Sequence, residues 1–346
     1  MFFLASAALA APVVTLYTMG AGDDVFSRFG HGALCVNEPP SQRHRCYNYG
    51  TADFTTPIPL THGVVRGNGE FWVSVIGRGP MLRFYSTLER NVWAQELPLS
   101  EAQAEALAAA LEDDALPENR TYIYHHFDDN CTTRLRDRVD EATGGALSPA
   151  KEALFGEDYR DLVRDGLATS LPLLAGSELF LGRVLDRPPT LYEAMFLPRI
   201  FREEVRLRLG VEPALVVEGR DRPAPPNALL TARAVTAGIG GAAAAAGWRW
   251  RRLAWVASGL VGLVALAVMV ISPLPVLRLN ELILLFWPLD LAAPFLGPEK
   301  RRGYAVARLA GLALVGLGLL VGALVQPLWL ALLIAVALVA PALRGR

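Results

Sequence analysis

The stretch Asp128-Asp129-Asn130-Cys131-Thr132-Thr133-Arg134-Leu135-Arg136-Asp137 organises the reading of this chain. Asp128, Asp129 and Asn130 are helix-capping types, and apolar or small residues recur at helical spacing from Cys131 to Ala142, so a helix is expected to start on the cysteine. A thiol there faces unpaired backbone donors and the positive end of the helix dipole, which favours the thiolate. The same backbone N–H groups are expected to receive an oxyanion. Such a thiol needs a base, and His31 is the first candidate, because Gly30 and Gly32 leave its ring open and it begins an expected strand, His31–Val36. Asn48 is the first choice for the third group that orients the imidazole, and Asp53 the second. A buried inert cysteine and an ordinary strand histidine also fit this spacing.

Outward from these residues the chain alternates strands and helices in an α+β pattern. Val13–Thr18 reads as a strand, Asn37–Arg45 as a polar, proline-rich loop, and Cys46–Tyr49 as the returning arm of a hairpin. Phe71–Ile76 and Met81–Tyr85 suggest two more strands, Ser100–Leu111 a helix capped by Ser100, and Tyr122–His126 a short strand. Residues 143–220 read as amphipathic helices and proline turns. Of the three cysteines, Cys35 and Cys46 lie on the two hairpin arms within possible disulfide reach, which would leave Cys131 as a single thiol; the sequence leaves that connectivity open. If they face each other, Asn48 lies diagonal to His31 on the same face of the sheet. Arg134 and Arg136 fit either a phosphate headgroup or pairing with Asp137 and Asp140. His125 and His126 stand beside Asp128 and Asp129, but adjacent strand residues point to opposite faces, so no metal and no other cofactor is expected.

A net charge of -1 supplies no general field for nucleic acid, and none is expected as a partner. Residues 1–11 read as a signal-like segment ending in Ala8-x-Ala10 without a basic start, 12–220 as an exported domain with a helical extension, 221–227 as a proline-rich linker, and 228–346 as a membrane-embedded helical domain. Five spans are expected, beginning near Ala228, Leu253, Glu281, Tyr304 and Pro327. Arg249, Arg251 and Arg252, then Lys300, Arg301 and Arg302, then Arg344 and Arg346 follow the first, third and fifth, so all fall on one side. The positive-inside rule makes that side cytoplasmic and places the first 227 residues outside. Within the third span, Glu281 and Asp290 are functional candidates by default, although headgroup placement or satisfaction of freed backbone donors also accounts for them.

Several ordered stretches resemble the N-terminal periplasmic domain of the Lnb-type lipoprotein N-acyltransferases: Gly22 to His31, Tyr47-Asn48-Tyr49-Gly50-Thr51, Arg90 to Ser100, Pro117 to Arg120, and Asp128 to Asp137. The likeness spans about residues 13–142, and Asp129-Asn130-Cys131-Thr132-Thr133-Arg134 is its most specific part. It implies a papain-like fold in circularly permuted order, histidine before cysteine, as in NlpC-like and lecithin:retinol acyltransferase-like enzymes. The implied activity moves a fatty acyl chain through a cysteine thioester onto the α-amino group of the diacylglyceryl-cysteine of bacterial lipoproteins at the inner membrane. Membrane phospholipid and the lipoprotein's own glyceryl ester both remain open as donor. Candidate substrate-binding residues are Arg134, Tyr49, Asp53 and Asn130, beside the catalytic set Cys131, His31 and Asn48. The chain departs from the family in lacking a basic signal start and a lipobox cysteine, so its helices alone are expected to anchor it, and the Cys35/Cys46 pair is read from the residues and not assigned to the family. The rival readings are a membrane-tethered cysteine peptidase or amidase of the cell wall, which would release peptide fragments without an acyl-thioester, and a non-catalytic envelope scaffold with an inert Cys131.

Overall fold

Short runs of β-branched, aromatic and small residues form seven antiparallel strands: β1 (Val13–Met19), β2 (His31–Glu38), β3 (Arg43–Thr51), β4 (Glu70–Gly77), β5 (Val92–Glu96), β6 (Thr121–Ile123) and β7 (Ala214–Val217). Their order in the sheet is β6-β4-β3-β2-β1-β5-β7. The computed structural model describes residues 11–39 and 43–343, so all but the last residue of the expected signal-like segment, with Arg344 and Arg346, falls outside the described residues. Two compact units are present, Met1–Gly156 with Pro189–Pro223, and Glu157–Pro188 with Ala224–Arg346. Residues 157–188, expected in an extension of the N-terminal domain, group with the C-terminal helices instead.

In the first unit, helices α1 (Pro57–Val65), α2 (Arg78–Thr87), α3 (Glu101–Asp114) and α4 (Cys131–Ala142) accompany the sheet. Met81 and Tyr85 of α2 pack with Tyr17, Met19, Ala33, Cys35, Cys46 and Val92 on one face. On the other, Tyr47 and Tyr49 donate hydrogen bonds to Glu112 and Asp114 of α3, and Gly32 lies under Leu135 of α4. With both faces covered, β2 is buried continuously from Gly32 to Val36. Cys35 and Cys46 are direct cross-strand partners joined by a disulfide. The expected strand Met81–Tyr85 is part of helix α2. Its two buried residues are four apart, the helical repeat, whereas a strand would have turned Arg83 inward with them. Ser100 caps α3 in a reciprocal capping box with Gln103.

Among the described residues, the second unit contains three helices long and apolar enough to cross a membrane, Ala228–Arg249, Arg252–Ile271 and Pro298–Leu320, and a shorter apolar stretch, Trp329–Leu343. The expectation of five spanning helices is corrected at the third. Between Pro275 and Phe295 the chain forms one short helix, Pro275–Arg278, and two 3-10 segments, Glu281–Leu284 and Pro288–Phe295, because Pro275, Pro288 and Pro294 remove donors that a continuous helix needs. This segment runs back along Arg251–Ile271: Phe286 and Trp287 press on Gly262, Leu291 presses on Gly259, and Ser258 donates to Asp290 at 2.5 Å. Trp255 and Tyr304 meet with ring centroids 5.4 Å apart, which sets Arg252 and the Lys300–Arg302 cluster at one end of the unit.

Irregular backbone at membrane depth requires protein cover and satisfied polar groups. Asp290, fully buried, accepts from Tyr304 at 2.7 Å, from Ser258, and from Arg308 at 3.0 and 3.2 Å, and Arg308 also donates to Leu285 O at 2.7 Å. Glu281 receives the N–H groups of Val325 and Gln326 and pairs with Arg183 at 3.1 Å. Both carboxylates thus pin the non-helical segment. Removing one partner would strand a buried charge: Asp290→Ala is expected to destabilise the protein by about 3–5 kcal/mol, and Asp290→Ala with Arg308→Met by much less. Thermal unfolding of the detergent-solubilised variants checks this; equal losses would contradict it.

Candidate active site

Cys131 is the first residue of α4, and Asn130 is its N-cap. Asn130 Oδ1 accepts the N–H groups of Thr132 and Thr133 at 2.8 and 2.9 Å, while Nδ2 donates to the carbonyls of His126 and Phe196. This buried amide is therefore fully engaged in holding the helix start, not placed to bind substrate. The cap also occupies the Thr132 and Thr133 N–H groups, so the expected oxyanion site built from the helix's first turn is not free at those two donors.

His31 opens β2 on the face of Ala33 and Cys35, whereas α4 lies over the opposite face, and the two meet where Gly50 leaves a gap. A Cβ on Gly50 would stand 3.0 Å from Cys131 Cβ and 3.8 Å from His31 Cε1. Gly50 has φ +84°, a conformation glycine adopts without strain, beside a register shift between Asn48 and Thr51. The backbone N–H of Gly32, next to His31, faces the Cys131 sulfur, and the Thr132 hydroxyl lies 3.7 Å from it. Asn48 is buried; its Nδ2 donates to Cys46 O at 3.1 Å, and its side chain hydrogen-bonds His31. Cys131, His31 and Asn48 thus come together, with Asn48 two residues from the position across from His31, the diagonal relation that follows from Cys35 facing Cys46.

Burial decides the protonation state. It pulls the His31 imidazole down to about 3, helped by the charge of Arg90 and opposed by the Asn48 hydrogen bond. It pushes the Cys131 thiol above its ordinary value, against the Thr132 hydroxyl, the Gly32 and Thr132 backbone donors, and Arg90. The helix start therefore does not yield a resting thiolate. The dyad rests as neutral thiol and neutral imidazole, with both side chains still partly accessible.

The remaining candidates lie elsewhere. Tyr49 is buried against α3 on its hydrogen bond to Asp114. Asp53 is exposed and accepts from Thr55 and Thr56, so it does not orient His31. Arg134 is committed to Asp129, with its fork at 2.6 and 2.9 Å, and not to Asp137 or Asp140; its guanidinium lies 3.9 Å above the Tyr122 ring. Arg136 takes Asp137 at 2.8 Å. His125 pairs with Asp128 at 3.0 Å, while His126 sits among Phe29, Phe127 and Phe196; among the described residues no three His, Cys, Asp or Glu side chains form a metal-sized group.

Three further residues stand at the site: Tyr85, one of the aromatics the sequence offered as an apolar wall, and Arg90 and Tyr122, to which the sequence reading gave no role there. Tyr85 stacks on His31 with centroids 6.2 Å apart, the Arg90 guanidinium lies 5.0 Å from the Tyr85 ring, and the buried Tyr122 hydroxyl, 3.8 Å from the Cβ position of Gly50, has no hydrogen-bond partner among the described residues. The alternation Tyr122, Tyr124, His126 was a usable signal for an inward-facing row.

A neutral dyad predicts that alkylation of Cys131 by iodoacetamide stays slow at neutral pH and keeps rising beyond the ordinary thiol midpoint of about 8.5. A rate already level below pH 7 would reveal a preformed ion pair and contradict the neutral resting state.

No curated protein and no solved structure is matched by the chain. Residues 2–165 match the family model described as the Lnb N-terminal periplasmic domain. Cys131, His31 and Asn48 all fall within that stretch, which thereby belongs to the same Lnb-type family whose motifs the sequence carries.

Proposed function

We propose that this protein is a lipoprotein N-acyltransferase of the inner membrane, with its thiol domain in the periplasm. The meeting of Cys131 and His31 across Gly50 carries the reading. His31 removes the Sγ proton as the sulfur attacks an ester carbonyl of a membrane lipid. The tetrahedral intermediate collapses to an acyl-thioester, and the imidazolium returns its proton to the departing alcohol. The α-amino group of a diacylglyceryl-cysteine then attacks the thioester, His31 takes the amine proton, and an amide forms with the thiol regenerated. Asn48 holds the ring through both halves of the cycle, and the unpartnered Tyr122 hydroxyl is suited to donate to the oxyanion.

Two features favour acyl transfer over hydrolysis. An apolar cluster of Ala52, Leu60, Phe71 and Tyr122 borders the thiol and limits water. Three candidate membrane helices on the same chain would tether the thiol domain to the membrane that holds both lipid substrates, raising their effective concentration.

In cells whose own N-acyltransferase is replaced by this protein, mass spectrometry should find lipoprotein N-terminal peptides bearing an amide-linked acyl chain. Cys131→Ser should abolish it, and His31→Ala should lower the rate by about 10²–10⁴-fold. Release of peptide fragments with no acyl group ever trapped on Cys131 would refute acyl transfer in favour of amide cleavage.

A further inference from the structure

Arg90, between α2 and β5, is 5 % exposed and makes no ion pair among the described residues. Its Nε donates to Gly20 O at 2.8 Å, and its Nη2 has no hydrogen-bond partner among those residues. The guanidinium lies against the Tyr85 ring that also stacks with His31, and its charge acts on both His31 and Cys131. A buried, unneutralised arginine is costly to keep, because it has left water without gaining a carboxylate.

The backbone is shaped to hold it there. Glu89, immediately before it, has φ 50°, in the left-handed region that non-glycine residues seldom adopt. A later segment of the same unit clamps this elbow: Arg220 N–H donates to Glu89 O at 2.9 Å, and Arg222 donates to Glu89 O at 3.0 Å and Leu88 O at 3.2 Å. Gly219 N–H donates to Asn91 Oδ1 at 2.6 Å. A Cβ on Gly219 would lie 2.5 Å from the Arg90 carbonyl carbon, so only glycine permits the approach.

We propose that Arg90 is the fixed counter-charge for the anion that forms at Cys131, first the thiolate and then the tetrahedral intermediate. The proton leaving Sγ goes to His31, and the negative charge left on sulfur is balanced by a cation that neither donates nor receives that proton. Arg90 acts on both partners in one direction: it eases loss of the thiol proton and makes the resulting imidazolium a stronger acid toward the leaving group. The ionisable groups that face Cys131 are His31, Arg90, Tyr85, Tyr122 and Tyr124; those that face Arg90 are Tyr85, Cys131, Arg222 and Asp24. This role rests on the acyl-transfer reading only in sharing its nucleophile, since it concerns how the thiol ionises and not which acceptor receives the acyl group.

The test is the pH dependence of Cys131 alkylation by iodoacetamide in the full-length, detergent-solubilised protein, with Arg90→Gln and Arg90→Lys. Arg90→Gln should move the midpoint upward, slowing alkylation at pH 8 by about tenfold for each pH unit of movement, and Arg90→Lys should restore most of the rate. Superimposable profiles for the folded Gln variant and the unaltered protein would overturn the proposal. Should Arg90→Gln not fold, the side-chain Nε resonance of Arg90 in the unaltered protein must move with the thiol titration and stay still in Cys131→Ser; a resonance that never responds would equally overturn it. A protein that shows the midpoint movement yet never carries an acyl group would sink the acyl-transfer reading alone.

Discussion

The contact on which the candidate site depends is that of the α4 N-terminus with two glycines of the sheet. Gly32 admits Leu135, so α4 lies close on β2, and Gly50 leaves the gap that Cys131 and His31 border from opposite faces. A Cβ at Gly32 would fall 2.7 Å from Leu135 Cδ1 and one at Gly50 3.0 Å from Cys131 Cβ, closer than packed carbons sit. Asn130 completes the joint by satisfying the first N–H groups of α4 and tying them to the His126 and Phe196 carbonyls. The cap is therefore part of the geometry of the thiol even though it touches no reacting atom.

Burial then imposes a chemical constraint. A helix dipole and backbone donors favour a thiolate, yet desolvation of Cys131 and His31 outweighs them, and separated charges are disfavoured until a substrate arrives. A neutral resting dyad suits a site beside apolar side chains, where a standing ion pair would draw water in.

Two of the buried arginines, one in each unit, illustrate opposite solutions. Arg308 is neutralised by Asp290 and hydrogen-bonded to Leu285 O, which makes it a structural pin for a segment that proline prevents from being helical. Arg90 has no such partner, and the strained Glu89 and the clamp from residues 219–222 hold it in place regardless. A satisfied pair stabilises its surroundings; an unsatisfied charge is available to a transient anion.

Local chemistry alone determined much of this arrangement. Capping residues before an amphipathic run marked α4 to both its ends, flanking glycines marked His31 as open, and the hairpin spacing put Asn48 within reach of it. The apolar spans near Ala228, Leu253 and Tyr304 were legible because a membrane imposes length and composition on a segment by itself. Other features are set by packing between segments distant in the chain. Helix α2 is fixed by what Met81 and Tyr85 meet across the sheet, the irregular segment from Pro275 to Phe295 by Asp290 finding Arg308, and Arg134 by Asp129 claiming its fork. The same holds for the site's electrostatics: whether Cys131 is charged, and that Arg90 stands near it, depend on dielectric surroundings assembled by the whole sheet, which no local window of residues encodes.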